Sequence, residues 1–294
     1  MTALVGALEI GGTHVSAGRV DAVRARIDPS GIHRFPLGAK SSRDELLGAI
    51  SRAALEVTLP EISRWGVAVP GPFDYARGVS KIRGLDKLDA LYGVDLRDRL
   101  SRDLGVVPNQ MQFVNDAQAF VLGEWWAGAA KGHPRAIGVT LGTGLGSGFL
   151  ADGHFIVSGP DVPPEARLDL VPFRGSSVED VISSRGIVAA FGDKVEVAEI
   201  AKRARDDKPK ARAVFREFGS ALGEFVGPWL DRFAPTCLVF GGSIARAWDL
   251  FADAFLDACP AAARLDRCGP ADRLDEAPLL GAALYAVRGQ SETP

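Results

Sequence analysis

The stretch Phe113-Val114-Asn115-Asp116, followed at once by Ala117-Gln118-Ala119-Phe120, decides the fold. An apolar run ends in an amide and a carboxylate, and an alanine-rich helical pattern begins without a spacer. This predicts a strand over 111–114 and a helix over 117–127. A strand stopping on Asn-Asp at a helix start puts both side chains at the carboxyl edge of a sheet, where open α/β folds bind ligands. Glycine-rich turns flank it: Gly11-Gly12-Thr13 before, and Gly142-Thr143-Gly144-Leu145-Gly146-Ser147-Gly148 and Gly241-Gly242-Ser243 after.

Working outward, residues 3–10 form an apolar run that meets Gly11-Gly12, and alternation resumes over 15–20, which predicts a hairpin. Helical spacing follows over 44–57 and a short buried strand over 65–69, ended by Pro70-Gly71-Pro72. Residues 73–94 read as a long irregular loop, and 95–104 as a helix. After residue 135 two apolar runs, 136–141 and 148–151, join through the second glycine turn. A second strand–Gly–strand pattern implies a second domain of related topology. Residues 153–177, with four prolines, read as loop. Helices are expected over 178–191, 195–206, 211–233 and 244–258, with a strand over 236–240. The apolar stripe of 211–233 reads as packing against a sheet or a partner subunit. A last helix, about 278–288, crosses back to the first domain. The expected division is 1–116 plus about 278–294, and 117–277.

A length of 294 residues suits one large or two medium domains. With 47% hydrophobic and 24% charged residues the chain is an ordinary soluble globular one. A formal charge of −3 gives no electrostatic reason to expect nucleic acid. No apolar run approaches the roughly 18 residues of a membrane span. Three cysteines without a Cys-x-x-Cys pair favour a reducing compartment. A cytoplasmic location is the expectation.

Each glycine turn lets the backbone approach a phosphate closely, and Thr13, Thr143 and Ser147 add hydroxyl donors. Singly, such turns serve hairpins as readily as ligands. Three of them in this order around one Asn-Asp point to a phosphate donor, with Asp116 acting on an acceptor hydroxyl. The competing role for Asp116 is to cap the helix that follows it. His14, His33, His133 and His154 lack metal-ligand spacing.

Glu9-Ile10-Gly11-Gly12-Thr13, Val69-Pro70-Gly71-Pro72, Asn115-Asp116-Ala117, Gly123-Glu124, the 140–146 glycine motif and Val239-Phe240-Gly241-Gly242-Ser243 resemble the ordered motifs of the ROK family, from about residue 5 to 288. That family groups bacterial glucokinase-like sugar kinases with related repressors. The resemblance implies a two-domain actin-like ATPase (ribonuclease H-like) α/β fold with ATP phosphates gripped in an interdomain cleft. It implies an ATP- and Mg²⁺-dependent sugar kinase, with a homodimer as the expected assembly. By the same resemblance Asp116 is the catalytic base, Asn115 binds a neighbouring hydroxyl, and Gly71 sits in the sugar loop. The phosphate set is Gly11, Gly12, Thr13, Gly142, Thr143, Gly144, Gly146, Gly241 and Gly242.

The sequence departs from the family pattern in the metal and sugar shells. Glu9 stands where the family has aspartate, and is expected in the magnesium shell. Pro164-Glu165-Ala166-Arg167-Leu168 replaces a Gly-Glu-x-Gly-His segment, with leucine at the histidine position and no cysteine before residue 237, so no zinc site is expected. Glu165 and Glu179 are the candidate sugar carboxylates. Arg83-Gly84-Leu85-Asp86-Lys87-Leu88 replaces an Asn-Leu-Pro-Gly-Trp-like element. An altered shell points to an amino sugar, another modified hexose or a cyclitol as acceptor. Polyphosphate stays open as an alternative donor. Two other classes compete. The family's repressors carry a helix-turn-helix domain ahead of the first turn, which here starts at residue 9, so nucleic acid is not expected as a partner. A catalytically degenerate sugar-binding sensor is the alternative to the kinase.

Overall fold

The structure, a computed structural model, describes residues 4–38, 41–84 and 88–289. The chain divides into two compact units, Met1–Ala127 with Asp275–Pro294, and Gly128–Leu274.

In the first unit β1 (Leu4–Ile10) and β2 (His14–Asp21) form the expected hairpin about Gly11-Gly12-Thr13, and β3 (Arg26–Pro36) adds an edge. β4 (Trp65–Val69) pairs parallel with β1. The stretch read as irregular loop contains a small hairpin, β5 (Phe73–Asp74) with β6 (Val79–Ser80). β7 (Met111–Asn115) lies parallel to β4, completing a sheet of order β3-β2-β1-β4-β7. α1 (Arg43–Glu56) starts on a capping box: the Ser42 hydroxyl accepts from the Glu45 N–H, and Glu45 accepts from the Ser42 N–H at 2.7 Å. α2 (Leu96–Leu104) is capped by Asp95 and closed by Gly105 at φ 66°. Alternation sorts β1 between two faces. Leu8 and Ile10 pack with Leu46, Ile50 and Leu100, while Val5 and Ala7 pack with Leu279 and Ala283. α3 (Asp116–Ala127) follows β7 directly.

In the second unit β8 (Arg135–Leu141), β9 (Leu145–Ala151) and β10 (His154–Phe155) form an antiparallel run. β11 (Pro172–Phe173) and β12 (Ser176–Ser177) make a short hairpin. α4 (Ser184–Phe191), α5 (Val197–Arg205) and α6 (Pro209–Phe233) come next. β13 (Cys237–Gly241) and β14 (Arg267–Pro270) pair parallel on the other side of β8, giving the order β10-β9-β8-β13-β14. The second sheet repeats the order and strand directions of the first, as the repeated strand–Gly–strand pattern implied. The α6 stripe is buried within this unit's own core.

Several boundaries differ from the sequence reading. The helix expected over 244–258 is two, α7 (Gly242–Ala245) and α8 (Trp248–Ala258), so only one helical turn follows Gly241. The helix expected over 178–191 begins only at Ser184, where the Ser183 hydroxyl caps it. β9 starts at Leu145, which puts Gly146 opposite Thr140 and Gly148 opposite Gly138 in the ladder. The second turn is therefore Gly142-Thr143-Gly144 alone. Residues 85–87 of the element replacing the Asn-Leu-Pro-Gly-Trp-like motif lie outside the described residues.

α9 (Ala277–Arg288) returns to the first unit, and it corrects the expected boundary at residue 116. Gly281 of α9 lies against the Ala119 carbonyl, and Gly123 of α3 against the Ala277 carbonyl, so tightly that no Cβ fits at either position. This backbone-to-backbone packing binds α3 to α9 within the first unit. α3 thus stays with the sheet that ends in Asn115.

Candidate active site

In the first unit the site begins with strand register. Glu9 pairs with Ser16, and Ser16 with Arg34, so one cross-strand row carries a carboxylate, a hydroxyl and a guanidinium. The row flanks the Gly11-Gly12-Thr13 turn, which is closed by the Gly11 N–H donating to the His14 carbonyl at 2.9 Å. Thr13 Oγ1 lies 3.2 Å from His14 Nδ1, and the Leu37 N–H donates to the Thr13 carbonyl at 2.7 Å. Arg34 is paired with Asp275 at 2.7 Å.

Asn115 and Asp116 divide the end of β7 between them. Asn115 Oδ1 accepts from the N–H groups of Ala117 at 3.0 Å and Gln118 at 3.2 Å. That is helix capping, and it falls to Asn115. Asp116 Oδ1 accepts from its neighbour's N–H, Ala117, at 2.9 Å. Asn115 Nδ2 donates to the Tyr75 hydroxyl at 3.1 Å. Gly71 follows β4, and a Cβ there would stand 3.5 Å from the same hydroxyl. Tyr75 escaped the sequence reading because it falls in the segment taken as irregular loop. A phenol shortly after Pro70-Gly71-Pro72 was the available signal.

Glu9 and Asp116 are electrostatically joined. Burial first, and the Asp116 carboxylate second, raise the Glu9 carboxyl to about 7, against the opposing pull of the Ser16 hydroxyl and Arg34. His14 is lowered by burial and by Arg34.

In the second unit the short turn is held from two sides. The Gly142 N–H donates to the Gly144 carbonyl at 3.0 Å, and the backbone N–H and hydroxyl of Ser184 donate to the Gly142 carbonyl at 2.8 and 2.9 Å. Glu179 Oε1 accepts from the Leu145 N–H at 3.0 Å and lies where a Cβ on Gly144 would have to stand. Glu179, expected at a sugar, here braces the glycine turn. Gly242 has φ 80° and crowds the Leu141 carbonyl, so glycine is required where β13 passes into α7. Thr143 and Ser243 open onto a groove of about 1080 Å³, lined also by Ser184, Arg246, Val188 and Val197. The last four escaped the sequence reading; Ser183-Ser184 before a helical run was the signal for one.

The remaining sugar candidates part company. Glu165 is 73% exposed at φ 56° and pairs with Arg167 at 3.7 Å. Leu168 is fully buried in the second unit's core, its N–H donating to Ser147 Oγ at 3.0 Å. Ser147 Oγ in turn donates to the Ala166 carbonyl at 2.8 Å. Ser147 therefore anchors this segment. Gly146, held in the β9 ladder, lies outside the turn it was assigned to.

Residues 5–288 match the ROK family. A glucokinase of Thermotoga maritima is 26% identical over 238 residues, 72% of this chain and 74% of its own length. An N-acetyl-D-glucosamine kinase of Pectobacterium carotovorum is 25% identical over 269 residues, 83% of this chain and 84% of that one. Among solved structures, a ROK family glucokinase of Streptomyces griseus in complex with glucose and AMPPNP superposes with a TM-score of 0.77 at 23% identity, covering 97% of this chain and 100% of that one. The repeated sheet order of the two units is that of the actin-like ATPase fold. With the match spanning nearly its whole length, the chain belongs to the ROK family.

Proposed function

We propose that the chain is a sugar kinase that transfers the terminal phosphoryl group of ATP to a hydroxyl of a hexose or sugar-like acceptor, with Asp116 as general base. The observation that carries this reading is the division of labour at the end of β7. Asn115 takes the N–H groups of both Ala117 and Gln118, while Asp116 shares only the Ala117 N–H through Oδ1. A carboxylate one residue from a hydrogen-bonded amide, at the carboxyl edge of a parallel sheet, suits proton abstraction from a hydroxyl. Kinases and glucokinases among the relatives support the acceptor class.

Phosphoryl transfer asks mainly for positioning and charge neutralisation. The 11–13 turn of the first unit and the 142–144 and 241–242 turns of the second offer backbone N–H groups to phosphates. The groove beyond Thr143 and Ser243 joins polar side chains to apolar walls at Val188 and Val197, which suits a purine nucleoside. Mg²⁺ fits the first unit on the chemistry of its donors. Glu9 and Asp116 are two carboxylates, and burial first and the Asp116 charge second push Glu9 towards neutrality. Among the described residues no group of three or more His, Cys, Asp or Glu could hold a metal, so Glu9 and Asp116 would share the ion with phosphate and water oxygens. When bound, the ion neutralises phosphate charge. Asp116 orients the acceptor hydroxyl and takes its proton, while Asn115 holds an adjacent hydroxyl.

The second reading, a sugar-binding sensor without turnover, draws on Glu9 in place of the family's aspartate and on Leu168 in place of its histidine, the leucine lying buried in the core. One screen separates the two: hexoses, amino sugars and cyclitols offered with Mg-ATP while ADP release is followed. The kinase reading expects turnover with at least one acceptor. Sugar binding without ADP release across the panel establishes the sensor.

A further inference from the structure

Tyr75 belongs to no motif of the chain, yet its hydroxyl ties together three pieces of the acceptor region. It donates to the Val69 carbonyl at the end of β4 at 3.3 Å and accepts from Asn115 Nδ2 at 3.1 Å. It also stands 3.5 Å from where a Cβ on Gly71 would lie. The residue is itself held. Arg97 Nη2 donates to the Tyr75 carbonyl at 3.2 Å, the Arg97 guanidinium sits 5.6 Å from the Phe113 ring centre, and the Tyr75 ring packs on Phe73 at 5.3 Å. Phe113 and Asn115 lie on the same strand, so the support of Tyr75 and its target share β7.

We propose that Tyr75 is the positioning residue that aims the Asn115 carboxamide, so that the acceptor is read through a single N–H donor beside the Asp116 carboxylate. The proposal rests on the kinase reading above. An amide offers one oxygen with two lone pairs and one nitrogen with two hydrogens. Both Asn115 lone pairs go to the Ala117 and Gln118 N–H groups, which decides the side that carries the oxygen. One amide hydrogen goes to Tyr75, which fixes the plane of the group. A single N–H is then left for a ligand. Next to it Asp116 can only accept while ionised. The matching ligand feature is a pair of adjacent hydroxyls, one giving its proton towards Asp116 and the other offering a lone pair to Asn115. Selectivity for that second hydroxyl should then depend on Tyr75, which never touches it.

The test compares wild type with Tyr75→Phe on D-glucose, D-mannose and N-acetylglucosamine and on their monodeoxy analogues, with Mg-ATP. In wild type, deleting the hydroxyl read by Asn115 should lower kcat/KM by about 10-fold, as loss of a ligand group facing a half-buried donor does. In Tyr75→Phe the acceptor KM should rise about 3- to 10-fold, with kcat and the ATP KM nearly unchanged, and the deoxy penalty should shrink below about 3-fold. A wild-type deoxy penalty retained in Tyr75→Phe overturns the proposal. So does an equal fall in kcat for every acceptor, which marks general damage to the loop. If Tyr75→Phe fails to fold, Asn115→Ala, which removes the N–H without adding an acceptor, must abolish the deoxy penalty, and a retained penalty overturns the proposal. Absence of wild-type turnover with every sugar overturns the kinase reading, and this inference with it. Wild-type turnover with an indifferent Tyr75→Phe sinks this inference alone.

Discussion

Glu9→Gln should flatten a pH dependence of stability that the wild-type protein carries. The Glu9 carboxyl ionises at 4.5 in an open chain and at about 7 in the fold, chiefly because it is buried and secondly because Asp116 is close. Between those values the folded protein holds a proton that the unfolded chain has released. Stability from this group is therefore fully present below pH 4.5, and it is lost as pH rises through 7. At about 1.4 kcal/mol per pH unit the loss amounts to about 3 kcal/mol, or roughly 6–12 °C in melting temperature for a unit of this size. Glutamine keeps the shape and removes the titration. The assay is thermal or urea unfolding of both proteins in Mg²⁺-free buffer between pH 5 and pH 8.5. Glu9→Gln should gain on wild type as pH rises, by most of the 3 kcal/mol across that range. Asp116→Asn, which removes the second cause, should shrink the wild-type slope without abolishing it. A Glu9→Gln difference that is constant with pH refutes the argument and places Glu9 as an ordinary ionised surface carboxylate.

Three further outcomes follow from the geometry. Gly281→Val, which drives a side chain into the Ala119 carbonyl, should cost about 3 kcal/mol in urea unfolding, whereas Gly48→Ala, with only the flexible Arg52 near, should be close to neutral. Glu179→Ala removes the carboxylate from the Leu145 N–H and should raise the ATP KM about 10-fold in steady-state assays while the sugar KM holds. The opposite pattern would return Glu179 to the sugar role implied by the resemblance. Gly242→Ala, strained at φ 80° and blocked by the Leu141 carbonyl, should lower both thermal stability and ATP affinity by isothermal calorimetry.

Much of the architecture was legible because it rests on local rules. The 65–69 strand, the Gly11-Gly12 hairpin and the 117–127 helix follow from periodicity and turn chemistry, and the structure places them within a residue or two. The repeated topology was legible for the same reason. What failed depends on contacts far apart in sequence. The membership of α3 is set by Gly123 and Gly281 meeting opposite backbones, which no pattern around residue 116 could show. The break between α7 and α8 follows no proline or glycine inside the helical pattern. The candidate site is marked in the sequence by its glycines and by Asn115-Asp116, residues with an unusual local sequence. Tyr75, Arg34 and Ser184 look ordinary where they stand and reach the site only through register or folding of the chain. Leu168 illustrates the limit from the other side. Its identity was plain in the sequence, while its burial in the core was not.

The assignment of Asp116 as the base is the central claim, and single-turnover phosphoryl transfer by Asp116→Asn tests it most directly. With ATP and acceptor both saturating and their binding confirmed by calorimetry, the account predicts a rate 10²- to 10⁴-fold below wild type. A transfer rate equal to that of wild type, with both ligands bound, would contradict it.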